Sequence, residues 1–205
     1  MSTVLIETAK PQTTGARLFA GEDLPFEERT DVTVAELEKM RLPLPAELYN
    51  GKVVFKMANP VHADIQVVIS GEIYIYLKQK PVGRVWTEAH FKLWPGRDDN
   101  ARIPDVAFIV KERLPKDWLH YPAMAPDLAV EILSPTNDFE DVMRKAEEYL
   151  QQGTQIVWVV ITSTREVIVC TAEGKHFVKN VLTAPNLLPG FELPVKTIFA
   201  GIEKE

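Results

Sequence analysis

Apolar positions along this chain repeat with two periods, and the switches between them mark its elements. IPDVAFIV from Ile103, LAVEIL from Leu128, QIVWVVI from Gln155 and EVIVCT from Glu166 are short apolar runs bounded by turn residues, and each predicts a strand. The TSTR turn makes EVIVCT the hairpin partner of QIVWVVI. RVWTEAHFKLW, residues 84–94, alternates Val85, Thr87, Ala89 and Phe91 against polar or aromatic neighbours and predicts another strand, followed by a turn at PGRDDN. In AELYNGKVVFKM, Asn50-Gly51 separates two strand-like pieces, the strongest short-range hairpin signal.

Helical spacing appears three times. Thr33 and Glu36 have the spacing of a capping box at the head of VAELEKM, which LPLP then ends. In residues 61–80, Ile65, Ile69, Ile73 and Leu77 recur every fourth position and favour a helix, although Val67-Val68-Ile69 and Ile73-Tyr74-Ile75 are strand-like. FEDVMRKAEEYLQQG predicts a helix with Asn137 and Glu140 as a capping box, an apolar face of Val142, Ala146, Tyr149 and Leu150, and a stop at Gly153. Residues 1–30 have no clear period and read as an N-terminal extension, packed on the surface or mobile; residues 31–205 read as one domain.

Composition narrows the class. The chain has 205 residues, 46% hydrophobic and 25% charged, as in an ordinary globular domain. Its longest apolar run, IVWVVI, is too short to span a bilayer, and MSTVLIETAK lacks the basic start and apolar stretch of a signal peptide, so a cytoplasmic protein is expected. The single cysteine, Cys170, excludes an intrachain disulfide framework and a Cys-rich zinc site. A net charge of −6 argues against a protein that coats nucleic acid by general electrostatics, but not against a nucleic-acid enzyme with a local basic rim.

The candidate chemistry starts from Glu131, in the middle of LAVEIL. A carboxylate in an apolar layer costs several kcal/mol or gives up its charge unless it has a partner, a metal or a place at a cleft mouth. With a period of two, Asp105 shares a face with Ala107 and Ile109, and Glu131 shares one with Ala129 and Leu133. Each acid thus has a small alanine beside it, and neighbouring strands would bring the two carboxylates to one end of a sheet. Bound Mg²⁺ would remove their repulsion with the hard oxygen ligands it requires. The pair alone does not separate a nuclease from a structural metal site. Lys145 borders the helix's apolar face, either as an exposed i,i+4 partner of Asp141 or as an ammonium beside the metal.

The ordered set is more specific than any member. TVAELEKM, AELYNGKVV, PVHADIQVVI with His62, PD at Pro104-Asp105, PDLAVEILSPTN, a helix reading D-x3-K-x3-Y-x3-G and a following IVWVV strand together resemble the Uma-two family of restriction endonucleases, within the PD-(D/E)xK nuclease superfamily. The likeness covers roughly residues 31–200. It implies an α/β domain, a restriction-endonuclease-like mixed β-sheet flanked by helices, with Mg²⁺ (or Mn²⁺ as substitute) at the sheet's edge. Asp105 and Glu131 match the two acids, and the backbone carbonyl of Ile132 would be a further metal ligand. The superfamily's lysine would fall at position 133, which is leucine here; its role moves to Lys145. Glu47 matches a family acid and is an additional candidate ligand; Arg102 fits either a phosphate contact or an exposed strand start. The implied function is a metal-dependent endonuclease cutting phosphodiester bonds, with DNA as the expected substrate, acting as a homodimer. The rival readings are a nonenzymatic nucleic-acid- or partner-binding module with a vestigial site, and a hydrolase of small phosphoesters.

Overall fold

The ambiguity at residues 61–80 resolves as a helix because the period-four positions have a sheet to cover. A computed structural model describes residues 28–133 and 138–202, so the expected extension at 1–30 falls almost wholly outside the described residues. In chain order the elements are α1 (Val34–Leu37), β1 (Ala46–Tyr49), β2 (Lys52–Phe55), α2 (Pro60–Gln79), β3 (Gly83–Thr87), β4 (Val106–Val110), β5 (Leu128–Leu133), α3 (Phe139–Gln151), β6 (Ile156–Ile161), β7 (Glu166–Thr171), β8 (Gly174–Val178), β9 (Val181–Ala184), β10 (Leu188–Pro194) and α4 (Val195–Phe199). Asn59 caps α2 by accepting from the His62 N–H at 3.0 Å, and Pro60 starts it where a missing N–H costs nothing. Ile65, Ile69, Ile73 and Leu77 are then its buried stripe.

A six-stranded mixed sheet in the order β3-β4-β5-β6-β7-β8 forms the centre. All neighbours are antiparallel except β5 and β6, which are parallel and joined by α3 as the crossover. Alternation assigns the faces. Val106, Phe108, Val130, Ile132, Trp158 and Val160 pack toward α2, α4 and the β9–β10 ribbon. Ala107, Ala129, Val157 and Val159 pack toward Val142, Ala146 and Tyr149 of α3. The fold is thus the expected α/β arrangement of a mixed sheet flanked by helices. Among the described residues no helix is long and apolar enough to cross a membrane.

Two expectations need correction. The strand expected over 84–94 ends at Thr87, because Glu88 takes a left-handed conformation (φ 51°) and turns the chain; Phe91 rejoins through a single bridge to Arg102. Asn137 lies outside the described residues, and the cap of α3 is Asp138, whose side chain accepts from the Glu140 N–H at 2.8 Å. The Thr33–Glu36 capping box forms as expected.

β1 and β2 make a separate antiparallel hairpin, bridged to the domain at Leu48–Ala101. Its turn residues, Asn50 and Gly51, both have positive φ (48° and 74°), the geometry that matches the twist of a tight hairpin.

Candidate active site

The sheet register determines where the two strand acids meet. β4 and β5 pair Val106 with Val130 and Ala107 with Ala129, so one further step sets Asp105 opposite Glu131. Both carboxyl groups thus lie at the same end of the central strands, each beside the small alanine predicted to leave it room. The hairpin supplies two more charges. Its register pairs Glu47 with Val54, and the Lys56 N–H donates to the Pro45 carbonyl at 2.8 Å, so Glu47 and Lys56 share one hairpin face. α3 brings Lys145 and Tyr149, one helical turn apart, over the sheet face shared by Ala107 and Ala129.

These groups form one connected network. Asp105 Oδ1 accepts from Lys56 Nζ at 2.5 Å, and its Oδ2 lies 3.1 Å from His62 Nε2 and accepts from the Ile132 N–H at 2.6 Å. Lys56 Nζ also donates to the Ile103 carbonyl at 2.7 Å. Lys145 Nζ lies 2.9 Å from Glu47 Oε2 and 3.8 Å from Glu131 Oε2, so it bridges two acids. Tyr149 donates its hydroxyl hydrogen to Glu131 Oε1 at 2.9 Å. Glu47 is held further by the Ile103 N–H at 3.1 Å and by Arg102 at 3.2 Å. All three acids are nearly inaccessible: Asp105 at 1%, Glu47 at 2% and Glu131 at 3%.

Burial and partners push the three acids in different directions. Burial opposes the charge on Asp105, but Lys56 and His62 outweigh it and hold the carboxyl well below the usual range. Glu47 is likewise desolvated, yet Lys145, Arg102 and Lys56 bring it below its ordinary value. Glu131 goes the other way: burial lifts it, Lys145 and Lys56 offset only part, and Asp105 and Glu47 add repulsion. Burial works against the ammonium charges of Lys56 and Lys145, but the surrounding carboxylates keep both above the usual lysine value.

The structure therefore brings together Asp105, Glu131, Lys145 and Glu47, with the Ile132 backbone at the same end. The surface pair expected for Lys145 belongs to its neighbour: Arg144, not Lys145, binds Asp141, at 2.8 Å. Arg102 is not an exposed strand start. It is buried, with Nε donating to Glu148 Oε2 at 2.8 Å and the guanidinium over the Tyr49 ring at 4.7 Å, so its planar group is already committed. Sequence reasoning missed Lys56, and it left His62 without the role the structure gives it, a contact to Asp105.

Two carboxylates at one sheet end provide the hard oxygen donors that Mg²⁺ or Mn²⁺ takes. Glu131, raised by burial and by two neighbouring acids, is the member a cation would relieve most. Among the described residues no group of three or more His, Cys, Asp or Glu side chains is gathered as a metal site. A cation at Asp105 and Glu131 would therefore complete its shell with backbone oxygen, water and substrate.

A protein-family model described as "Uma2: Putative restriction endonuclease" matches residues 34–196. A solved structure, described as a "putative nuclease belonging to DUF820" from Anabaena variabilis ATCC 29413, matches with a TM-score of 0.70 at 23% identity, over 82% of this chain and 98% of that one. At this identity the likeness establishes the shared fold. No curated protein matches the chain.

Proposed function

The chain belongs to the Uma2 restriction-endonuclease family, and from that premise we propose that it is a metal-dependent endonuclease hydrolysing phosphodiester bonds in DNA. The observation that carries this reading is the meeting of Asp105, Glu131 and Lys145 from two strands and a crossover helix at one end of the sheet. Asp105 and Glu131 would hold Mg²⁺, with the Ile132 carbonyl, water and a phosphate oxygen as its other ligands. A divalent cation bound there supplies Lewis-acid polarisation of the phosphate and a more acidic bound water. The rest is performed by the chain. His62 and the Ile132 N–H fix the Asp105 carboxylate, and Tyr149 fixes Glu131. Lys145, held between Glu47 and Glu131, orients the attacking water and neutralises charge developing on the phosphate. Glu47 positions that ammonium. Hydrolysis is then an in-line displacement at phosphorus, and cutting both strands calls for two such sites in a homodimer.

The test is cleavage of supercoiled plasmid in Mg²⁺ or Mn²⁺ by the purified chain and by Asp105→Asn, Glu131→Gln and Lys145→Ala. Each variant is expected to lose more than the roughly 10–100-fold that removal of an outer metal-site partner costs. EDTA should abolish the activity, and a dinucleotide-sized phosphodiester should be a poor substrate. One observation favours the rival, a nonenzymatic nucleic-acid-binding module: the acids are already neutralised by Lys56 and Lys145. In that case Glu131→Gln leaves every nucleic-acid activity of the protein unchanged.

A further inference from the structure

Lys56 touches the acid that a divalent cation would need. The two oxygens of Asp105 are engaged differently. Oδ2 faces His62 Nε2 at 3.1 Å and the Ile132 N–H at 2.6 Å, an imidazole and a backbone group fixed by α2 and β5. Oδ1 faces Lys56 Nζ at 2.5 Å, the end of a flexible four-carbon side chain that follows the last residue of β2. The first oxygen belongs to the frame; the second holds a side-chain ammonium, which also donates to the Ile103 carbonyl at 2.7 Å and would give up both contacts on leaving.

Like-charge repulsion favours that departure. Glu47, Asp105 and Glu131 already face Lys56, Lys145 and Arg102, the last shared with Glu148. Adding a divalent cation with all three side-chain cations in place would set like charges against one another around three largely desolvated acids. Arg102 is locked by Glu148 and the Tyr49 ring, and Lys145 spans Glu47 and Glu131. Lys56 lines a cleft of about 430 Å³ together with His62, Met57, Ala58 and Glu88. It has somewhere to go.

We propose that Lys56 is an internal competitor of the divalent cation, occupying Asp105 in the metal-free protein and withdrawing into the cleft when the cation binds. This inference rests on the reading of Asp105 and Glu131 as metal ligands. Its function is to keep a desolvated acid from standing unpaired before cation and substrate arrive, and it sets the cation concentration at which the site loads.

The test is calorimetric titration of the full chain with Mn²⁺ alone, without nucleic acid. Lys56→Met should bind about tenfold or more tighter than wild type, the factor that one charge-assisted hydrogen bond is worth. Lys52→Met, which removes an exposed lysine of the same hairpin, should leave the affinity unchanged. Asp105→Asn should abolish binding. If wild type binds and Asp105→Asn does not, while Lys56→Met binds equally or more weakly, the inference is overturned and the metal site stands. Equal tightening by Lys52→Met would reduce the effect to net charge and also overturn it. Binding that is absent throughout, or indifferent to Asp105→Asn, removes the metal site and the inference together. Should Lys56→Met fail to fold, a crystal of wild type with Mn²⁺ on Asp105 decides the matter: Lys56 off the carboxylate supports displacement, and Lys56 still at its present contact overturns it.

Discussion

At the residue scale, Asp105 and Glu131 face each other with opposite consequences for stability. The folded protein lowers Asp105 below its ordinary 3.8, so its stabilising contribution is present at higher pH and is lost as pH falls through the folded value. Glu131 is raised above its ordinary 4.5, so its ionisation costs stability, a cost absent at low pH and growing as pH rises through the folded value. In the metal-free protein at neutral pH, Asp105→Asn should therefore destabilise, by about 2–4 kcal/mol, because it leaves Lys56 without its partner. Glu131→Gln keeps an acceptor for Tyr149 and should stabilise by about 1 kcal/mol, raising Tm by about 2–4 °C. Thermal melts in EDTA check both signs; a destabilised Glu131→Gln would contradict the account. The faces of the two acids were legible because Glu131 lies within an unbroken strand and Asp105 directly against one, where the period of two holds. The burial of Arg102 was not legible because Glu47 and Glu148 lie 55 and 46 positions away in sequence, and no local pattern reports such closure.

At the scale of the element, the hairpin positions more of the site than its length suggests. Asn50-Gly51 announced the turn, and from that centre the register follows: Tyr49 with Lys52, Glu47 with Val54, then Pro45 beside Lys56. Lys56 was therefore legible in principle, as a lysine on the same hairpin face as a candidate acid. It was overlooked because strand-end lysines are usually solvated. Gly51→Ala should cost about 1–2 kcal/mol from the left-handed backbone alone. An added Cβ there would also press on the Thr30 carbonyl. The same variant should lower nuclease activity through the displaced Glu47, read as a fall in kcat/KM alongside the lowered melt. α2 shows the opposite case: its pattern was ambiguous locally, and only a sheet face waiting for Ile65, Ile69, Ile73 and Leu77 made the helical period decisive.

At the scale of the molecule, the sheet order explains why a crossover helix carries the lysine. β5 and β6 are parallel, so the chain must return over one sheet face, and α3 lies over the face to which Asp105 and Glu131 belong. The sequence set out this mixed sheet through its ordered motifs; it was silent on β8, β9, β10 and α4, whose short half-exposed segments carry little periodic signal. Net charge gives the whole molecule little general attraction for nucleic acid, so engagement should depend on the loaded site. A homodimer with two such sites should sediment as a dimer at working concentration and convert plasmid to linear product; a monomer that only nicks would count against the paired arrangement.

The β1–β2 hairpin stands apart from the six-stranded sheet, yet it brings both Glu47 and Lys56 to the site. It is a zwitterionic clasp: one acid and one base on a single strip of backbone, with no net charge between them. A slip of one residue in its pairing would turn one strand over against the other and put Glu47 and Lys56 on opposite faces of the hairpin. Lys145 would lose its nearest acid or Asp105 its ammonium, according to which strand moved. The site therefore depends on the register set by one two-residue turn, and a misregistered hairpin leaves the six-stranded sheet intact with half of the clasp missing.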